Sequence, residues 1–387
     1  MNYLLIIGTF ESIFLIFMLL AKKNKSRSDL FLGLILFLYA LALFSTFIES
    51  YNISHNFPYP FLINLNWLPL FLHGPALWFY IKSLSFPVSK FKPLHLVHFV
   101  PFIVFTIIHY FNFMQLPAID KIQLVENDLF KEGVFYKISV LSIAISTITY
   151  NLWALKLIQK HKYNLVQNFS KIEDIDLHWL KILTIASLIC YGVNVALFNL
   201  DLIFHFASYH LLLIITNSFA AVYVLVIGYF GLLQQNVFVN SKAADNETIK
   251  HIIDGEKKVN PSNAASNQFI DKLIVYMEQK QPYLEPEITI SKLSKMLGVQ
   301  SEFLSEMLNS SLKKSFFDFV NKYRIEEFKV QCLSKNNSHL TIIGIAYNCG
   351  FNSKAAFYRA FKKFEGISPG EYIQGFSQKS GTLLTAK

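Results

Sequence analysis

The sequence predicts an all-α protein in two parts, a seven-helix transmembrane bundle followed by a soluble all-helical domain with two helix-turn-helix units. Three observations carry this. The first half is a succession of apolar runs near the ~20 residues that a helix needs to cross a hydrocarbon core. The sequence then turns polar after Gln234 and stays so to Lys387. Within the polar part, a Thr-led helical pattern with a glycine turn occurs twice. The averages of 53% hydrophobic and 16% charged residues therefore describe neither half. A soluble globular chain has about 25% charged residues.

The apolar runs are 2–21, 30–48, 61–81, 94–116, 138–155, 182–200 and 210–233. Runs two to seven hold no Asp, Glu, Lys or Arg, and the first holds only Glu11. Positive charge follows the first run, in "AKKNKSR", whereas a signal peptide carries it in front. The run is read as an uncleaved span with its N-terminus outside. Lys and Arg gather in cytoplasmic loops. Lys22, Lys23, Lys25 and Arg27 fall in the first loop, and Lys82, Lys90 and Lys92 in the third. Lys156, Lys160, Lys162, Lys171 and Lys181 fall in or beside the fifth. The alternate loops offer Lys121 and Lys131, with Lys137 at a boundary. Seven spans, N-out and C-in at the inner (cytoplasmic) membrane of a bacterium, satisfy this bias.

An ionisable residue at membrane depth is a candidate functional site. Glu11 is the possible sensing residue, with Asn64, Asn66, His73, Asn194, Asn199 and Asn217 able to face it from other spans. The plainer reading has Asn and His hydrogen-bonding between helices. His95 and His98 lack a third metal ligand. Cys190, Cys332 and Cys349 have no metal or redox spacing and are read as reduced. With no Walker loop, HExxH or paired Cys clusters, the chain is expected to be no enzyme and to hold no cofactor and no metal.

Residues 234–268 lack apolar periodicity and read as a linker, with one short helix near 247–253. The domain proper runs over 269–376, and 377–387 reads as a flexible tail. From 266 to 387 there are 16 Lys and Arg against 11 Asp and Glu, a net +5 that suits an anionic partner. A first amphipathic helix covers 269–280. "TISKLSKMLGVQSEFLSEML" from Thr289 then pairs with "TIIGIAYNCGFNSKAAFYRAF" from Thr341. In each, Thr caps a helix, Ser294 or Ala346 permits close approach, and Gly298 or Gly350 makes the turn. A second helix starts near Ser301 or Ser353 and buries Leu304 or Phe357. Between the copies, 315–335 forms a helix of about 20 residues, hence ~30 Å. That approaches the ~34 Å between successive major grooves on one face of B-DNA.

From Phe269 to Phe376 the sequence resembles the DNA-binding domain of AraC/XylS-type transcription regulators, through "NKYRIEE" and "GFNSKAAFYRAFKKFEGISPGEY". The resemblance implies seven helices with two helix-turn-helix units, and double-stranded DNA as partner. It places Lys354, Ala355 and Arg359 at base-facing positions, Arg359 being suited to guanine. Lys362 and Lys363 suit phosphates, and Ser353 either caps its helix or bonds a phosphate. Phe351, Phe357, Phe361 and Phe364 are read as core. Arg324 ties the linker helix to its neighbours or to a phosphate. In the first unit Ser301 opens the helix, and Glu302, Ser305 and Glu306 stand where the second unit is basic, which weakens base reading there. The leading expectation is a membrane-anchored transcription regulator. Its partners would be DNA, the lipid bilayer, RNA polymerase and a second copy of the chain, with the signal ligand unspecified. The alternatives are a transporter or membrane enzyme with a regulatory helix-turn-helix domain, and a scaffold that has lost DNA.

Overall fold

Apolar residues repeated without break leave a backbone only one way to satisfy its polar groups away from water, which is to bond within its own helix. The computed structural model describes residues 2–23, 25–67, 69–85, 92–172, 177–233, 263–337 and 339–380, and within them it is helical with no strand. The chain divides into two units, residues 1–161 with 177–236, and residues 162–176 with 237–387. The expected short helix near 247–253 and most of the expected tail lie outside the described residues.

The first unit contains α1 (Asn2–Ala21), α2 (Arg27–Ser54), α3 (Leu70–Ser85), α4 (Val100–His109), α5 (Ala118–Glu126), most of α6 (Val134–Asn168), α7 (His178–Phe204) and α8 (Tyr209–Leu233). At the α1–α2 turn, Ser26 caps α2 by accepting from the Asp29 backbone. Lys22 reaches across to Asp29 at 2.9 Å. Among the described residues six helical segments are long and apolar enough to cross a membrane: Tyr3–Ala21, Arg27–Ser54, Pro93–Met114, Val134–Asn168, His178–Phe204 and Tyr209–Phe230. The third expected span differs. Residues 60–67 form two short 3-10 turns, and α3 itself is only 16 residues with Pro75 inside it. The helix runs through Pro75 to Ser85, so the shortening lies at its start, where the 3-10 turns stand in place of the expected first turns.

The helices also carry charge where the apolar runs stop. Glu49, near the end of α2, is buried, and its Oε2 accepts from the Asn64 backbone at 3.2 Å. Lys131 and Asp201 form a buried ion pair at 2.8 Å, and Lys131 also donates to the Ala207 carbonyl at 2.9 Å.

In the second unit α9 (Asn263–Lys280) starts six residues before Phe269. Its first turns, "NAASNQ", have no apolar stripe, but Ala and Gln sustain a helix by propensity alone. Then come α10 (Ile290–Leu297), α11 (Ser301–Ser310), α12 (Phe316–Leu333), α13 (Ile342–Asn348), α14 (Lys354–Glu365) and α15 (Pro369–Ser380). Two cores share α12. Its first half gives Phe316, Phe319 and Val320 to a core with α9, α10 and α11. Its second half gives Ile325, Phe328 and Cys332 to a core with α13 and α14.

The repeat in sequence is a repeat in hydrogen bonding. Thr289 accepts from the Lys292 backbone and Thr341 from that of Gly344. At the far ends, Gly298 N bonds Lys295 O and Val299 N bonds Ser294 O; equally, Gly350 N bonds Tyr347 O and Phe351 N bonds Ala346 O. This is the Schellman pattern, with an apolar residue after a left-handed glycine. Gly298 has φ +71° and Gly350 φ +91°. Gly350 has a second reason to be glycine, because a Cβ there would lie 2.5 Å from the Tyr283 carbonyl oxygen.

The last two turns of α6, from Lys162, and the residues after it belong to this second unit. Phe169 forms an isolated antiparallel bridge with Thr289. Ser170 Oγ donates to the Ile288 carbonyl at 2.7 Å, and Asn321 donates to the Ser170 carbonyl at 3.2 Å. Leu165, Phe169 and Ile172 make a small core with Val166 and Phe317. The domain is therefore discontinuous in sequence, which an apolar-periodicity reading of a basic loop does not reveal.

Gly350→Ala combines a strained φ with a backbone clash, and is expected to destabilise the second unit by about 2–4 kcal/mol. Phe328→Ala, which empties the second core, should cost about 3–5 kcal/mol. Pulse proteolysis of the reconstituted chain in increasing urea measures both; a Gly350→Ala midpoint equal to wild type would contradict the turn geometry.

Candidate nucleic-acid interface

A helix can present a reading face only if its opposite face is anchored. In α14 the anchors are Phe357, Ala360 and Phe361, all buried. Phe328 from α12 packs on two of them, with ring centroids 4.6 Å from Phe357 and 5.6 Å from Phe361, and Phe351 lies 5.3 Å from Phe357. Phe351 and the anchors are core, and Phe364 packs against them half-buried. Ser353 caps α14, its Oγ accepting from the Ala356 backbone at 3.1 Å.

With Phe357 and Phe361 inward, Lys354, Ala355, Arg359 and Lys362 are exposed on the other side. Their spacing of i, i+1, i+5 and i+8 spans about 140° of helix surface at 3.6 residues per turn. The Lys354 ammonium lies 5.7 Å from the Tyr358 ring centroid. Lys363 is exposed too, but it is engaged with Asp318 of α12 at 2.6 Å. Its charge therefore helps to hold α14 against the linker helix.

The first unit has the same anchor spacing, with Leu304, Met307 and Leu308 buried in α11. Superposing the two anchor triplets puts Glu302 at the place of Ala355, Ser305 at that of Tyr358 and Glu306 at that of Arg359. All three are half-buried rather than exposed. Ser301 turns inward, its Oγ sharing a hydrogen bond with Ser294 at 2.9 Å, and α11 has no side-chain cap. Ser305 accepts from Asn309 at 3.4 Å. The two helices are alike in packing and opposite in charge at their central outward position.

Arg324, for which the sequence left two roles open, lies inside the domain with 2% of its surface exposed. Its Nε donates to the Tyr283 carbonyl at 2.7 Å, and Nη2 donates to the Glu285 carbonyl at 2.7 Å. Nη1 donates to Asn321 at 3.2 Å, Nη2 also reaches Ser170 Oγ at 3.4 Å, and the guanidinium sits 5.7 Å from the Phe351 ring. It is a structural tie rather than a phosphate contact.

Glu11 is half-buried in α1, and its Oε2 has no hydrogen-bond partner among the described residues. Asn66, His73, Asn194 and Asn217 line one cavity in the first unit, and Glu11 is not among its lining residues. Asn64 instead serves Glu49, and Asn199 bonds its own helix at the Val195 carbonyl. Glu49 escaped the sequence reading because it falls one residue beyond an apolar run. His95 contacts Lys82 at 2.8 Å and His98 contacts Tyr150 at 2.7 Å. Among the described residues no cluster of three or more metal-ligating side chains forms.

A helical domain with two capped, glycine-turned helix pairs on a shared linker helix defines the helix-turn-helix class, and residues 293–375 match the family described as "Helix-turn-helix domain". The C-terminal unit is a helix-turn-helix domain of the AraC type. Its sequence is 32% identical over 115 residues to an uncharacterized HTH-type transcriptional regulator of Staphylococcus aureus strain COL, covering 29% of this chain and 15% of that protein. It is 29% identical over 129 residues to the uncharacterized HTH-type transcriptional regulator YtdP of Bacillus subtilis strain 168, covering 33% of this chain and 16% of YtdP. The likeness thus spans about 15% of the length of these curated relatives. No solved structure matches the chain.

Burial pushes the Cys332 thiol up to about 11 and the Cys349 thiol to about 12. Both are therefore protonated at neutral pH, and the thiolate is the reactive form. At pH 8 neither should be alkylated by iodoacetamide in the folded protein, and both should be modified once urea unfolds the domain. Mass spectrometry of the two peptides reads this directly; rapid native labelling of Cys349 would contradict the packing of α13.

Proposed function

We propose that the chain is a membrane-anchored, sequence-specific DNA-binding transcription regulator, in which α14 reads bases and the apolar unit holds the domain at the cytoplasmic face of the inner membrane. The observation that carries the reading is the exposed face of Lys354, Ala355, Arg359 and Lys362, fixed by buried Phe357 and Phe361 within a helix-turn-helix domain. Arginine suits bidentate contact with guanine O6 and N7, and Ala355 leaves room for helix approach or packs on a thymine methyl. Lys362 lies where a phosphate would run, and Ser353, committed to its cap, orients the helix end. Lys363 would have to leave Asp318 to reach a phosphate. Glu306 at the place of Arg359 makes the first unit a weak reader, which positions the domain more than it specifies sequence.

The regulators that the domain resembles are HTH-type transcriptional regulators by name, which supports a regulatory role over a transport one. Membrane anchoring is supported by six helices of spanning length and by the positive bias of the odd loops. The C-in orientation also needs residues 60–85 to cross as α3 plus its 3-10 turns. At 1.5 Å per residue the 16 residues of α3 reach ~24 Å, short of a ~30 Å core by about the length those turns supply. Coupling of a signal to the domain is supported by α6, whose last two turns and following residues are built into the DNA-binding unit.

For the full chain in nanodiscs, Arg359→Ala is expected to weaken binding to its promoter-region duplex by ~1–3 kcal/mol and to relax base preference at one position. Lys362→Ala should weaken binding to all sequences and reduce the slope of log affinity against log salt by about one. Fluorescence anisotropy across a salt series measures both, and full affinity in Arg359→Ala rejects its assigned role.

Reporter fusions test the orientation. A fusion at Asp120 should be external and one after Leu233 cytoplasmic. If α3 failed to cross, the two locations would be exchanged.

A further inference from the structure

The first unit holds a partly open cavity of about 80 Å³ between its helices. Small-molecule sites combine an apolar lining with a few placed polar groups. Here the walls are largely aromatic. Tyr39 lies 4.5 Å from His73 and 5.7 Å from Tyr223, centroid to centroid, and Trp67 lies 6.1 Å from Tyr209.

Polar atoms on these walls lack partners. The amide oxygen of Asn66 accepts from Tyr209 at 3.2 Å, but its Nδ2 donates to nothing among the described residues. The His73 ring has the Leu38 backbone beside it and the Trp67 indole N–H has the Tyr209 hydroxyl, neither in full hydrogen-bond geometry. All three side chains are more than nine-tenths buried. Native interiors leave few such groups, so a cluster of them around one cavity is accounted for by something that occupies it. No Asp, Glu, Lys or Arg lines the cavity. A charged guest would lose its hydration with no opposite charge to replace it.

We propose that this cavity is a binding site for an uncharged, largely apolar small molecule with a flat ring and hydrogen-bonding groups. The rings of Tyr39, Trp67 and Tyr223 would form the wall against which its body lies. Asn66 Nδ2 and the Trp67 indole would donate to its acceptors, and His73 would both donate and accept. The proposal names a ligand class for the signal in the regulator reading, and it rests on the membrane insertion of this unit.

The test uses the full chain in nanodiscs with dansyl amide, an uncharged naphthalene carrying a sulfonamide, as the probe. Saturable fluorescence enhancement at about one probe per chain, above empty nanodiscs, is expected. The corresponding sulfonate, with the same ring and a full negative charge, should bind at least tenfold more weakly. Ala220→Phe, which fills the cavity from α8, and Asn66→Leu, which removes the amide, should each weaken dansyl amide at least tenfold. Incorporation into nanodiscs and duplex binding are measured on the same preparations. A chain that fails to insert overturns the membrane reading and this site with it. An inserted, DNA-binding chain overturns the site alone if it shows no saturable binding, if it takes the sulfonate equally well, or if both inserted variants bind as wild type does.

Discussion

The guanidinium of Arg324 is the interaction on which the DNA-binding unit depends. It brings four stretches of chain together: the linker helix that carries it, the carbonyls of Tyr283 and Glu285 before the first helix-turn-helix, Ser170 after α6, and Phe351 at the second turn. A buried charge is tolerable only when its donors are paired, and here the partners are mostly carbonyl oxygens that themselves need donors. Lysine, a point charge on a flexible stem, could not serve several acceptors in one plane. Gly350 completes the arrangement, since any side chain there would collide with the Tyr283 carbonyl oxygen and the Arg324 Nε.

From that tie the second helices of the two helix-turn-helix units, α11 and α14, acquire their relation. Each half of α12 feeds one core, and each core anchors one second helix by a buried i, i+3, i+4 triplet. Packing is conserved between the halves of the domain while surface charge is not. Glu306 and Arg359 occupy equal positions on equal scaffolds, so the difference between the two readers is one of electrostatics rather than of architecture. The ion pair of Lys363 with Asp318 adds a further tie, made by a residue that the sequence alone assigns to phosphate.

Legibility in the sequence followed the range of the interaction. The Thr caps and glycine turns at Thr289, Gly298, Thr341 and Gly350 were readable because each is decided within a few residues, and the structure reproduces them bond for bond. Six of the apolar runs appear as spanning helices, because length and composition settle them. The third run differs, since the 3-10 turns within 60–67 interrupt what hydropathy joins. Interactions between distant segments left no local mark. Nothing in "NLVQNFSKI" signals that Ser170 bonds Ile288 and Asn321, and nothing near Glu11 shows that Asn66, Asn194 and Asn217 line one cavity without it. The buried pair of Lys131 and Asp201 was invisible for the same reason.

The discontinuity of the second unit bears on how the protein could be cut or recombined. Residues 293–375 match a widespread domain, yet the wall formed by Phe169, Ser170 and Ile172 comes from more than a hundred residues upstream and lies outside that match. A single cleavage between Leu233 and Asn263 would free a fragment whose Asn321 and Arg324 had lost their upstream partner. A chimera that grafts residues 263–380 onto a foreign anchor would inherit the same wound. The portable module is therefore not the stretch that sequence comparison outlines, but that stretch together with the end of α6.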